Sequence, residues 1–203
     1  MPCSNVMGVT MDHAGRGGAY IGLVPFGEPD VESLDFLPAA LEGIYGIPVR
    51  WGFSLPLPAA AFNRARRQYR ADAFLEALSA MHQGGFLRLV GITDVDLFAP
   101  GLNFVFGQAA VGGRICVVSL ARLRPSFYGE EDDEDLLRLR AIKESVHELG
   151  HTFGLEHCPH RECVMHFSNC LEDTDIKGVF PCPSCRRVLE ECLRRLGTRA
   201  RKP

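Results

Sequence analysis

The segment HELGHTFGLEHC, from His147 to Cys158, gathers three histidines, two glutamates and a cysteine into twelve residues. Positions i and i+4 of a helix face the same way about 6 Å apart, so His147 and His151 can aim two imidazoles at one ion. If the helix continued, His157 would stand roughly 240° around and about 9 Å further along, out of reach of that ion. Gly154 removes the difficulty. With no Cβ it accepts the left-handed conformation that ends a helix, and the chain can turn back to bring in His157 as a third ligand. Three neutral nitrogens leave one position of a tetrahedral zinc open for water, the arrangement of a catalytic rather than a structural site, with the water's pKa lowered toward about 7. Glu148 is then the general base that takes the water's proton and passes it to a leaving amine. The spacing therefore predicts Glu-assisted attack of a zinc-bound water on an amide, in the first place a peptide bond.

Eight cysteines accompany this segment, six of them in the last quarter of the chain. The amino end, MPCSNVMGVTMDHAGRGG, has neither the basic start nor the apolar middle of a secretory signal, so the expected location is cytoplasmic and the thiols reduced. Clustered reduced thiols point to metal, and the pairs Cys158/Cys163 and Cys182/Cys185 match the four thiolates of a closed structural zinc site. Two zinc ions per chain are expected. Cys170 competes for the fourth thiolate and His160 for a mixed site, while a redox pair is the rival reading of Cys182 and Cys185. Cys192 is expected to face the core, and His13, His82, His160 and His166 to be ordinary core or surface histidines. Adjacent α-carbons are about 3.8 Å apart, so a fixed Cys158 thiolate constrains the approach of His157, and the cysteine zinc is expected to support the catalytic one.

These residues need elements to position them. The apolar residues Leu136, Leu139, Ile142, Val146, Leu149 and Phe153 recur at helical spacing and put His147 and Glu148 on a long helix. The acidic run Gly129 to Asp135 before it supplies the charge that favours a helix amino terminus. Upstream, YIGLVPF, IPVRWGF, FLRLVGIT and RICVVSL read as strands, with NFVF between the last two. Residues 31–46, which Asp30 could cap, and ADAFLEALSAMH read as helices, and the basic stretch NRARRQYR as a solvated helix start. This order predicts an α/β fold, a mixed sheet with helices packed on it. A short closing helix is expected over Arg186 to Leu196, and no regular element between it and Gly154. Asp94 and Asp96 read as turn residues at a strand end.

The run HELGHTFGLEHCPHRECVM, then sixteen residues and CPSC, resembles the signature HExxHxxGxxHCx4CxMx16CxxC of the archaemetzincins, zinc metallopeptidases within the metzincins. The likeness extends through FNRARRQYRAD, GITDVDLFAPGLNFVFGQA and SLARLRPSFYG, about Tyr20 to Gly197. It implies a compact α/β metallopeptidase fold with a zinc-bound C-terminal subdomain. It also implies a catalytic zinc on His147, His151 and His157 with Glu148 as base, and a second zinc on Cys158, Cys163, Cys182 and Cys185. Met165 falls where metzincins place the methionine of their Met-turn, a packing rather than a ligating role. The resemblance further suggests that an extended substrate lies along an edge strand, for which RICVVS, Arg114 to Ser119, is the candidate.

A tail over 1–19 and one catalytic domain over 20–203 are expected, divided into a sheet-bearing lobe to about 153 and a zinc-bound lobe from 154. The partner is a peptide or protein substrate. Nucleic acid is disfavoured by a net charge of -3 without a basic block, and a membrane span by the Pro, Asn and Gly that interrupt the longest uncharged run, Leu97 to Gly113. A catalytically silent zinc-binding scaffold is the rival from another class. The presence of Glu148 argues against it, since metal binding alone asks for no base.

Overall fold

The structure, a computed structural model, describes residues 20–81 and 85–197. The expected tail with Cys3 and His13, and also His82, lies outside the described residues. In chain order the elements are β1 (Tyr20–Phe26), α1 (Leu37–Tyr45), β2 (Val49–Trp51), β3 (Phe62–Asn63), β4 (Gln68–Arg70), α2 (Asp72–Ala80), β5 (Phe86–Thr93), β6 (Leu97–Phe98), β7 (Gly107–Ala109), β8 (Ile115–Ser119), α3 (Glu134–Thr152), α4 (Leu171–Ile176) and α5 (Pro183–Arg195).

The main sheet runs β2-β1-β5-β8-β7, parallel throughout except for β7, which pairs antiparallel with β8. Alternation sorts its side chains onto two faces. Ile21, Leu23, Val90, Ile92, Cys116 and Val118 join the core beneath α1 and α3, whereas Val24, Phe26, Leu89 and Val117 pack with Phe74 and Leu78 of α2. Burial on both faces explains why β1 and β5 read as continuous apolar runs.

Several expectations change here. β8 is interior, bonded to β5 on one side and β7 on the other, so the edge strand at this end of the sheet is Gly107–Ala109 and not RICVVS. The NFVF stretch stops short of this strand and contributes a bridge from Val105 to Leu97 and, through Phe106 O, an acceptor for Ser119 N at 2.8 Å. The basic segment is a hairpin and not a helix start. Asn63 Oδ1 accepts from Arg66 N at 3.1 Å, Arg67 takes a positive φ of 55°, and β3 returns antiparallel as β4. Arg66 then reaches the carbonyls of Leu102 and Asn103 at 3.0 and 2.7 Å and tethers the loop between β6 and β7.

α1 occupies only the second half of its expected span. Asp30 instead closes a bend by accepting from Ser33 Oγ at 2.6 Å, and the helix starts at Leu37 with Pro38, whose missing N–H suits a first turn. α4, a single short turn, was not expected. Asp94 and Asp96 turn out to be ion-paired, Asp96 with both arms of Arg122 at 2.7 and 2.8 Å and Asp94 with Arg124 at 3.2 Å.

Candidate active site

α3 starts where Asp133 Oδ1 accepts the backbone N–H of Leu136 at 2.9 Å, with Glu134 and Asp135 in the first turn. It ends in a Schellman motif: Gly154, at φ +86°, donates to His151 O and Leu155 donates to Gly150 O. This places the three imidazoles together. The ligand-capable atoms of His147, His151 and His157 all lie within 4.8 Å of one another, and the Nε2 atoms of His147 and His151 are 3.1 Å apart.

They fit a zinc ion. His147 Nδ1 lies 2.8 Å from Val164 O, and His151 Nδ1 lies 2.7 Å from Leu155 O, so each ring donates Nδ1–H to a backbone carbonyl and turns a lone pair on Nε2 toward the shared centre. Burial, aided by the nearby Lys177 charge, holds His147 well below the usual imidazole pKa, which keeps it neutral. His157 is exposed, with its ring 4.8 Å from that of Phe167. Met165 is fully buried against Gly150, where any Cβ would collide with its sulfur.

Glu148 is 6% exposed, and burial pushes its carboxyl well above the ordinary range, with the Glu144 carboxylate adding to the effect and Lys177 opposing it. The trio and Glu148 open onto a cleft of about 800 Å³. Its walls include Phe104 to Ala109 on the edge-strand side and Phe167 to Asn169 on the other.

The second expected cluster also assembles. The sulfurs of Cys158, Cys163, Cys182 and Cys185 lie within 4.8 Å of one another, Cys182 at the amino end of α5 and Cys185 in its first turn. Backbone N–H groups there, that of Cys185 first, draw the Cys182 thiol down to about 6, while burial raises Cys185. Cys170 stands apart, exposed and bonded to Asp173 at 3.5 Å. His166 serves the loop, with Nδ1 2.9 Å from Cys158 O, and Cys192 is half-buried against the core.

Two features of the cleft escaped the reading of the sequence. One is Gly107, on the strand wall of the cleft. The other is Glu144, whose Oε1 lies 2.8 Å from the fully buried Lys177 ammonium and accepts from Thr174 Oγ1 at 3.0 Å. Its position three residues before His147, on the same helical face, was the available signal. Nothing local marked Lys177.

Fold and cleft together describe a metal-dependent peptidase, and comparison with known proteins agrees. The model of peptidase family M54 matches residues 53–191. The archaemetzincin of Pyrococcus furiosus is 49% identical over 185 residues, which cover 88% of this chain and 96% of that protein. The crystal structure of archaemetzincin from Methanopyrus kandleri superposes with a TM-score of 0.78 at 38% identity, over 89% of this chain and 98% of that one. That of a zinc-dependent peptidase from Methanocorpusculum labreanum gives 0.76 at 29%, over 83% and 99%. The chain belongs to peptidase family M54, that of the archaemetzincins, and is a zinc metallopeptidase. Its substrates are accordingly peptides or proteins. Among the described residues no helix is long and apolar enough to cross a membrane.

Proposed function

We propose that His147, His151 and His157 hold the catalytic zinc, that Glu148 is the general base, and that Cys158, Cys163, Cys182 and Cys185 hold a second, structural zinc. One observation carries the catalytic part: three imidazoles converge, those of His147 and His151 with their outer nitrogens committed to backbone carbonyls, directly beside a buried carboxylate. Bound there, zinc would supply Lewis acidity toward a carbonyl and toward water. The residues of the chain do the rest. Glu148 takes a proton from the attacking water and returns it to the departing amine, and its enclosure, which raises the carboxyl's affinity for a proton, favours the protonated intermediate state. The free edge of β7 pairs with an extended substrate and presents its scissile bond to the histidines. The functional unit is a single domain over 20–203 with a sheet-bearing lobe and a cysteine-bearing lobe. The proposed setting is cytoplasmic, where clustered thiols stay reduced and free to hold metal.

The test incubates zinc-loaded protein with a broad peptide mixture and identifies products by mass spectrometry. Glu148→Ala is expected to keep its metal and lose at least about 10²-fold in rate, the usual contribution of a positioned base. Equal rates for wild type and variant would remove Glu148 from the mechanism.

A further inference from the structure

We infer that Gly107 is a positioning residue: by lacking a side chain, it seats the edge strand against Glu148 and fixes where that carboxylate stands. The inference rests on the reading of Glu148 as the base and extends it to the strand opposite.

β7 faces α3 with alternate residues. Gly107 pairs with Val118 and Ala109 with Cys116, and both partners belong to the core layer beneath α3. The strand thus turns its two smallest possible side chains toward the catalytic helix. At Gly107 the fit is closed: a Cβ there would come within 2.5 Å of Glu148 Cγ, 2.7 Å of its Oε1 and 2.7 Å of Val117 O. Real Cβ atoms do not tolerate such distances, so any other residue must displace the carboxylate, the strand, or both. Glycine within a strand often marks such a close approach. Here what approaches is the side chain that must meet the attacking water, on the strand proposed to hold the substrate. One residue therefore sets the distance between base and substrate edge.

The experiment uses the zinc-loaded full chain as wild type, Gly107→Ala, Glu148→Ala and the double variant. Gly107→Ala is expected to keep its zinc and lose about 10²-fold in kcat, the scale of a 1 Å misplacement, with KM moved by less than about threefold. In urea unfolding, Gly107→Ala should destabilise the wild-type background more than the Glu148→Ala background, because alanine at 148 withdraws Cγ and the carboxylate from the contact. A folded Gly107→Ala protein with kcat within about threefold of wild type would overturn the inference, as would equal destabilisation in both backgrounds. A merely structural role would move stability equally in the two. Should Gly107→Ala alone fail to fold, a folded double variant supports the contact and an unfolded one overturns it. If Glu148→Ala itself keeps wild-type kcat, the assignment of the base has failed, and the stability comparison still decides the contact.

Discussion

At the scale of single residues, the site depends on what stands behind each imidazole. His147 and His151 each place one nitrogen against a carbonyl, Val164 O and Leu155 O, and these carbonyls come from the turn that ends α3 and from the loop carrying Met165. The tautomer is thus set by backbone, and side chains need only point. Gly150 shows how tight this support is. In a helix interior Gly→Ala ordinarily stabilises by about 1 kcal/mol. At Gly150 the new methyl would meet the Met165 sulfur and, at 3.2 Å, Leu155 Cδ1. Overpacking of this kind costs about 1–3 kcal/mol, so Gly150→Ala is expected to lower stability. Chemical denaturation reads the sign directly: a stabilised variant would mean that Met165 does not pack there. The histidine trio and Glu148 were legible in the sequence because their spacing is local geometry, a helical repeat followed by a glycine turn. Gly107 was not, since nothing in its neighbourhood tells which helix will lie over it.

At the scale of elements, the loop from Gly154 to His166 does most of the assembly. It delivers His157, then Cys158, whose N–H donates to Met165 O at 2.9 Å, and it closes on Cys163, whose sulfur accepts from Cys182 N at 3.2 Å. His157 is exposed, its ring set against Phe167 and the other two imidazoles, and its backbone is carried by this loop. Cys158→Ser is therefore expected to lower zinc content at both clusters and to reduce peptidase activity with it. Metal analysis and rate measured on the same preparation check this, and two retained zincs with unchanged activity would refute the coupling. The sheet was legible for a similar reason of locality: β1 and β5 coincide with the apolar runs YIGLVPF and FLRLVGIT. Pairing order is a different matter. RICVVS looks like any strand until β7 covers it, and NRARRQYR becomes a hairpin because Arg67 can take a positive φ while Arg66 finds distant carbonyls to bond.

For the molecule as a whole, the question is what holds the segment after Gly154 against α3 and the sheet so that His157 meets its partners. α3 answers with two different faces. Leu137, Ala141, Val146 and Leu149 join the apolar core, whereas Leu139, expected in that stripe, is 41% exposed. Arg140, Lys143 and Glu144 turn instead to α4 and its flanks. Arg140 grips Asp175 through two bonds of 2.7 Å, Lys143 donates to the carbonyls of Thr174 and Asp175, and Glu144 meets Lys177. This charged stripe recurs at helical spacing, so a search for apolar periodicity alone passes over it. The Glu144–Lys177 pair is its most enclosed member, at 3% and 0% side-chain exposure. Taking one partner away leaves a buried charge uncompensated, at a cost of about 3–5 kcal/mol, whereas replacing both with apolar residues of similar size is often close to neutral. Lys177→Met is expected to fall in the first range, and Glu144→Leu with Lys177→Met to recover most of the loss. Urea unfolding of the zinc-loaded proteins measures both. A single variant as stable as wild type would show that the ion pair does not hold this segment against α3, and a double variant no better than the single would assign the loss to packing at Lys177 instead of to charge.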